Sequence, residues 1–336
     1  MDGPDLLVCP RCRGELVSEA EAWSCSGCGA SYRGLRGIAD LRAEDDIFLP
    51  NRDDWSFALR LHEDFDRLDF RGLLGRYFDL APELPADLRQ RQITHIVTAP
   101  ERARRWRAAL GPLGAGPLLD LGCGTGSFLA ANGGEGRPAW GVDIALRWLL
   151  VARKRLDEAG LAHVRLVCGC AERLPLRDRR FAGVVAGDVI EHVADRAAAL
   201  AEVHRVLAPG GRAFLASPNR FSLAPEPHVQ VWGVGYLPRG WMAAYVRWTR
   251  NLDFRAVHTL GLGGWKRLLR RSPFGGGTIS APGLPGADLA HFGPIKRTLA
   301  RLYNAAVATR PGQSVARAVG PLFHVICERA PGEAGR

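Results

Sequence analysis

From residue 116 onward, short apolar runs alternate with amphipathic stretches. GPLLDLG (Gly116–Gly122), PAWGVDI (Pro138–Ile144), HVRLVCGC (His163–Cys170) and FAGVVAGDV (Phe181–Val189) each read as a strand bounded by turn residues. Between them lie helix-like segments: one from Thr125, then ALRWLLVARKRLDEAG with Gly160 placed as a C-cap, then DRAAALAEVHRVL, stopped by Pro209-Gly210-Gly211 before a strand from Arg212. Strands separated by helices of this length predict an α/β fold with a doubly wound, mostly parallel sheet, whose ligands bind at the carboxyl ends of the strands. Residues 43–110 show leucine and aromatic positions at helical spacing, punctuated by Pro82, Pro85 and Pro100; His95 on this stripe could belong to an N-terminal lid but reads first as core packing. Beyond Trp241 the pattern gives basic helices, a glycine break at 275–277 and a closing strand, PLFHVICER.

The N-terminal segment carries a different signal. Cys9-Pro-Arg-Cys12 and Cys25-Ser-Gly-Cys28 are separated by twelve residues. Each C-x-x-C turn can present two thiolates to one ion, and two such turns complete a tetrahedral all-sulfur set that suits zinc. Gly14, Gly27 and Gly29 stand where such turns need positive φ. Two disulfides are the other use of four cysteines, and a cytoplasmic protein would not keep them. Cys123, Cys168, Cys170 and Cys327 are dispersed, as small buried residues are.

Composition narrows the class. With 336 residues, 47% hydrophobic and 24% charged, the chain can bury a large core and is not disordered. No apolar run nears the ~18 residues of a membrane span, and the N-terminus lacks a basic segment followed by an apolar one, so a cytoplasmic location is expected. The net charge of +10 is uneven: from Arg205 onward 18 Lys+Arg face 5 Asp+Glu, leaving 27 against 30 before it. Such a basic third suits nucleic acid, an anionic membrane surface or an acidic substrate. Only Lys154, Lys266 and Lys296 are lysines in an Ala-, Gly- and Pro-rich chain, so codon bias toward arginine accounts for part of the charge.

Asp120-Leu-Gly122-Cys-Gly124-Thr-Gly126 falls where the first strand of the alternating region meets its helix, and glycines there let backbone approach a ligand. The spacing is not the G-x-G-x-x-G of a dinucleotide enzyme. From Asp120 to Asn219, five segments occur in order: DLGCGTG, GVDIA, CAERLPLRDRRF, DVIEHVAD and HRVLAPGGRAFLASPNR. This stretch resembles class I S-adenosylmethionine-dependent methyltransferases, in particular the subgroup with quinone-biosynthesis and natural-product enzymes. The resemblance implies a Rossmann-like fold with a seven-stranded sheet. It also implies that Asp120, Gly122, Gly124 and Gly126 hold the methionine end of the cofactor, with Cys123 among the cofactor-binding residues. Asp143 would accept both ribose hydroxyls, Ile144 would lie on the adenine face, and Cys170, Ala171, Glu172 and Asp188 would complete the cofactor pocket. Two positions depart from the pattern: Gly-Cys170-Ala-Glu replaces Gly-Asp-Ala-Glu, and Phe181-Ala182 replaces Phe-Asp. The segment from about residue 6 to 42 resembles the small zinc ribbon found as an activating partner of some tRNA and rRNA methyltransferases, and fused to others. Zinc at Cys9, Cys12, Cys25 and Cys28 would supply most of its folding free energy.

The expected organisation is a zinc ribbon over 1–42, a helical connector or lid over 43–110, and a methyltransferase domain over 111–336, with its cofactor half at 111–219 and acceptor-binding and C-terminal elements at 220–336. Methyl transfer needs an aligned nucleophile and, for a hydroxyl, removal of its proton. His192, beside Asp188 and Glu191, and His228, in the Pro- and aromatic-rich segment after the fifth strand, are the candidate bases. The expected acceptor is a small molecule, methylated on a hydroxyl oxygen, with an anionic membrane surface or amphipathic substrate as a candidate partner of the arginine-rich helices. An RNA methyltransferase is the first alternative, countered by the absence of an Asn-Pro-Pro-Tyr-like tetrapeptide. A non-catalytic cofactor-binding scaffold is the second.

Overall fold

A computed structural model of the chain describes residues 6–45, 50–82, 84–134, 136–290 and 292–332. The first five residues of the expected ribbon and the last four of the expected methyltransferase domain lie outside the described residues.

The ribbon contributes four short strands, β1 (Leu16–Glu19), β2 (Ala22–Cys25), β3 (Ser31–Leu35) and β4 (Ile38–Asp40). Three helices follow, α1 (Asn51–His62), α2 (Phe70–Leu80) and α3 (Ala86–Leu110). The alternating region is β5 (Leu118–Leu121), α4 (Ser127–Asn132), β6 (Ala139–Asp143), α5 (Leu146–Glu158), β7 (Arg165–Cys168), β8 (Phe181–Gly187), α6 (Arg196–Val206) and β9 (Leu207–Pro218). The remainder is α7 (Arg239–Arg250), α8 (Leu262–Arg271), β10 (Thr278–Ser280), α9 (Gly286–Ala290), α10 (Pro294–Val307), α11 (Arg310–Val319) and β11 (Leu322–Glu328).

Among the described residues the strands form one sheet in the order β1-β2-β3-β4-β7-β6-β5-β8-β9-β11-β10. Neighbours from β7 through β9 are parallel, and β11 and β10 close that edge antiparallel. The five strands β5 to β9 with β10 and β11 make the seven that the resemblance implies. The count rises to eleven because β4 pairs in parallel with β7, Ala39 opposite Val167 and Asp40 opposite Cys168, and carries the ribbon onto the sheet. Residues of β5 and β8 are buried along almost their whole length, which is why those strands read as unbroken apolar runs. The two neighbours of β5, β6 and β8, leave it on opposite sides, so the sheet's switch point, with its ligand crevice, lies beyond the carboxyl ends of β5 and β8.

Two elements differ from the sequence pattern. The α3 helix runs through Pro100. Proline removes the donor that Ile96 O would receive, and Arg155 Nη2 stands 3.5 Å from that carbonyl instead. Residues Pro209-Gly210-Gly211 do not separate α6 from a strand at Arg212: β9 begins at Leu207 and absorbs them, Gly210 at φ 73° and a register shift opposite Phe181–Gly183.

Among the described residues the ribbon has no core apart from the rest. Leu6, Trp23, Ala39 and Leu41 belong to the core that runs across one face of the sheet and takes in Trp265 and Leu269 of α8 farther along it. On the other face Leu35 and Ile38 join α1, α2 and α5, where Tyr77 stacks on Trp148 at 3.8 Å. A buried ionic cluster fastens the three parts. Asp54, fully buried, accepts from Arg42 Nη1 (2.7 Å), Arg147 Nη1 (2.6 Å) and the Leu146 amide (2.9 Å). Arg42 grips Asp40 with two bonds of 2.7 Å and donates to the Ile144 carbonyl at 3.1 Å. Breaking a buried pair strands the remaining charge. Asp54→Ala is therefore expected to cost about 3–5 kcal/mol, against less than about 1 kcal/mol for Asp178→Ala at a 59% exposed ion pair. Urea midpoints at unchanged m-value measure both, and equal shifts would show the cluster to be dispensable.

Candidate functional site

The glycine loop follows β5 directly. The amides of Gly122 and Cys123 both donate to Val142 O, at 2.7 and 3.1 Å, turning the chain back over β6. Gly122, Gly124 and Gly126 have φ of 69°, 48° and 69°, a region costly for residues with a Cβ. A Cβ on Gly122 would stand 2.2 Å from the Val189 side chain, whereas one on Gly124 would meet nothing within 4 Å. Gly124 is thus the open side of the loop, and Gly122 packs against the turn after β8. The Cys123 thiol points inward: a Cβ on Gly141 would lie 2.8 Å from it. Only the backbone of Cys123 can face a ligand in the loop.

Asp143, at the end of β6, accepts from Gly124 N and Ala145 N, both at 2.8 Å, and so locks the loop to the next strand. A carboxylate retains further acceptor positions after two such bonds, enough for two hydroxyls. Asp120 is 4% exposed, and burial, then the charge of Asp143, push its carboxyl well above the usual range. Two acids at adjoining strand ends, one of them deeply desolvated, favour a positively charged ligand. Ile144 is half-buried, its carbonyl held by Arg42 and by the Cys168 thiol at 3.3 Å. Cys170 is buried, with its Sγ 3.6 Å from Glu44 O, and Ala171 is buried beside it. The Glu172 carboxylate accepts from the amides of Ala194 (2.9 Å) and Asp195 (3.4 Å), bracing the turn before α6.

The turn after β8 places Asp188, Glu191 and His192 together. Asp188 has φ 57°, a strained value for a non-glycine residue. Glu191 is 1% exposed; burial, then the Asp188 carboxylate, push its pKa up to about 8 against the pull of His228. The segment after β9 brings His228 Nε2 to 3.1 Å from His192 Nε2. His228 Nδ1 pairs with Glu226 Oε1 at 2.6 Å, and the other Glu226 oxygen accepts from the His228 and Val229 amides. Burial lowers the His228 pKa, but the Glu226 bond and charge outweigh it and hold the imidazole above its usual value. His192 is driven down to about 3, chiefly by burial and then by His228.

His95 is not core packing. Its side chain is 53% exposed and its Nε2 stands 3.8 Å from Asp188 Oδ2, so α3 borders the site. Glu226 was legible only as a carboxylate two residues before a histidine, and the Asp54 cluster left no local signal.

The four N-terminal cysteines converge, with their sulfurs within 4.8 Å of one another: Cys9 to Cys28 at 3.7 Å, Cys12 to Cys25 at 3.4 Å. Zinc–sulfur bonds of about 2.3 Å set tetrahedral sulfurs about 3.8 Å apart, and the set fits. Amides of Gly14 and Gly27 point at Cys12 and Cys25 sulfurs, each at 3.4 Å, as thiolates require. The positive φ expected at Gly14 and Gly27 falls instead on Arg13 (63°), with Gly29 (70°) alone as anticipated. Gly14 is needed for closeness: a Cβ there would stand 3.1 and 3.2 Å from two sulfurs.

The glycine loop, the Asp143 anchor and the order of strands define a nucleoside-binding α/β domain of the S-adenosylmethionine-dependent methyltransferase class. Residues 119–215 match the family model described as a methyltransferase domain, which supports a class I methyltransferase. The chain is similar to a ubiquinone biosynthesis O-methyltransferase of Thiobacillus denitrificans, 32% identical over 116 residues, 34% of this chain and 50% of the relative. It is also similar to a ubiquinone/menaquinone biosynthesis C-methyltransferase of Desulfotalea psychrophila, 40% identical over 115 residues, 32% of this chain and 46% of the relative. It therefore spans about half the length of the curated relatives it matches. Among solved structures, phosphoethanolamine N-methyltransferase 2 of Haemonchus contortus with S-adenosyl-L-methionine aligns at a TM-score of 0.45 and 18% identity, over 68% of this chain and 52% of that one.

A carboxyl whose pKa is raised by folding lends stability at low pH that is lost as pH rises through the folded value. Asp120→Asn is accordingly expected to raise the thermal midpoint of the ligand-free protein at pH 8 and to leave it unchanged at pH 4. The same change removes a charged acceptor and weakens S-adenosylmethionine binding about 10- to 100-fold. Thermal scans with and without cofactor test both; a variant that binds as tightly as the parent would remove Asp120 from the site.

Proposed function

We propose that this protein transfers the methyl group of S-adenosylmethionine to a hydroxyl oxygen of a small molecule from secondary or lipid/quinone metabolism, and that its four-cysteine centre holds a structural zinc ion. The observation that carries the first part is the locked glycine loop with Asp120 and Asp143 at adjoining strand ends. S-adenosylmethionine supplies an electrophilic methyl on a sulfonium. The residues of this chain do the rest: the Gly124 side of the loop admits the ligand to backbone, Asp120 faces its cationic end, Asp143 accepts its ribose hydroxyls, and Ile144 borders the base. The turn carrying Asp188, Glu191 and His192, pressed on Gly122 through Val189, places the acceptor side next to that loop. Oxygen as the acceptor atom is supported by the O-methyltransferases among the relatives.

The fold also weighs against an RNA substrate gripped jointly by the ribbon and the basic third. The ribbon extends the sheet beyond β7, whereas β11 and β10 of the basic third close the opposite edge. No helix among the described residues is long and apolar enough to cross a membrane.

Full-length protein incubated with S-adenosylmethionine is expected to release S-adenosylhomocysteine with phenolic or hydroxy-acid acceptors and not with RNA. Turnover only with RNA would overturn the substrate class, and binding without turnover on any acceptor would favour a scaffold. Zinc should matter beyond the ribbon, because β4 is hydrogen-bonded to β7 and the Leu41 amide to Cys168 O. Cys28→Ser is expected to bind one zinc equivalent fewer than the parent, and to lose thermal stability and at least threefold in cofactor affinity. Unchanged zinc content would exclude the centre.

A further inference from the structure

Glu191 has no role in the chemistry described so far, yet its carboxylate is among the most buried polar groups of the molecule, 1% exposed. Neither of its oxygens has a hydrogen-bond partner among the described residues. The Ser217 hydroxyl, near enough to lower the carboxyl's pKa a little, does not reach bonding geometry with it. A buried carboxylate is ordinarily paired, hydrogen-bonded or bound to a metal. Beside it stand His192 and His228, and one donor atom from each of the three residues lies within 4.8 Å of the others. Two imidazoles on one tetrahedral ion place their nitrogens about 3.4 Å apart; His192 Nε2 and His228 Nε2 are separated by 3.1 Å. His228 is oriented from behind. Its Nδ1 pairs with Glu226 Oε1 at 2.6 Å, and Glu226 is itself fixed by two backbone amides at 2.8 and 3.1 Å. A carboxylate on the far nitrogen of an imidazole sets the tautomer that leaves the near nitrogen's lone pair free to coordinate.

We propose that Glu191, His192 and His228 form a second metal site, for a divalent transition-metal ion of the zinc class, with Glu226 as the positioning carboxylate behind His228. A donor set of two imidazoles and one carboxylate suits zinc and ferrous iron and leaves coordination positions open. The ligands come from two segments far apart in the chain, the turn after β8 and the segment after β9, so an ion here would tie the acceptor-side segment to the sheet. Its use rests on the methyltransferase reading above: an open position next to the glycine loop can take the hydroxyl oxygen of the acceptor and orient it toward the methyl donor. The site itself does not depend on that reading.

Untagged full-length protein, incubated with excess Zn2+ and freed of loose ion by gel filtration, is expected to carry two zinc equivalents by plasma mass spectrometry. One belongs to the four-cysteine centre and one to this site. His228→Ala and Glu191→Gln should each carry one. Glu226→Gln should retain both sites with a 10- to 100-fold weaker second affinity. Co2+ in place of zinc gives a readout in the unmutated protein, since nitrogen–oxygen ligation lacks the sulfur charge-transfer bands of the four-cysteine centre. A single equivalent in the parent protein, or two retained in His228→Ala, would overturn the proposal. Failure of the parent to bind S-adenosylmethionine would instead overturn the methyltransferase reading and leave the metal count standing.

Discussion

The carboxylate of Asp54 holds three parts of the chain in one place. It lies at the start of α1, fully buried, and accepts from Arg42 at the end of the ribbon, from Arg147 on α5 and from the Leu146 amide at the start of α5. Arg42 passes the constraint on to Asp40 and to the Ile144 carbonyl. Two buried guanidinium groups and two carboxylates tolerate little displacement, because each lost contact leaves a desolvated charge. The cluster therefore sets the distance between the ribbon, the connector and the end of β6, where Asp143 anchors the glycine loop. The ribbon is an added edge of the sheet, and its zinc-type centre, its hydrophobic contacts and its hydrogen bonds to β7 all act on the cofactor side.

Charge is arranged with the same economy. Asp120, Asp143, Asp188 and Glu191 stand at the carboxyl ends of β5, β6 and β8, where burial and mutual repulsion raise Asp120 and Glu191, and burial raises Asp188, above ordinary carboxylates. Such a site is poorly satisfied alone and well satisfied by cations. In the proposed reading, a sulfonium and an ammonium meet that need on the glycine-loop side. On the other side, the imidazoles of His192 and His228, with Glu226 behind them, offer coordinating nitrogens beside a carboxylate that has no hydrogen-bond partner among the described residues. The net charge of +10 belongs mostly to the C-terminal third and so says little about this acidic crevice.

How much of this was legible follows from how each feature is encoded. β5 and β8 were plain as apolar runs because both faces of the sheet are covered. The glycine loop was plain because its glycines are required by φ and by contact, at Gly122 with Val189. The cysteine pairs were plain because a ribbon of this size needs its ligands at short spacing. The run of α3 through Pro100 was not, since Arg155, 59 residues beyond Ile96, meets the carbonyl that proline leaves without a donor. His95 sits on a stripe indistinguishable from core positions, and its nearness to Asp188 depends on where α3 lands.

The amino-acid sequence by itself determined the alternating strands and helices, the glycine loop and the four thiols, because each is a local requirement of backbone conformation, burial or ligand spacing. Only the tertiary structure decided that the ribbon would pair with β7, that Asp54 would sit between Arg42 and Arg147, and that Glu226 and His228 would meet Glu191 and His192. Those contacts join residues tens of positions apart, and nothing in their immediate neighbours requires them until the sheet brings the segments together.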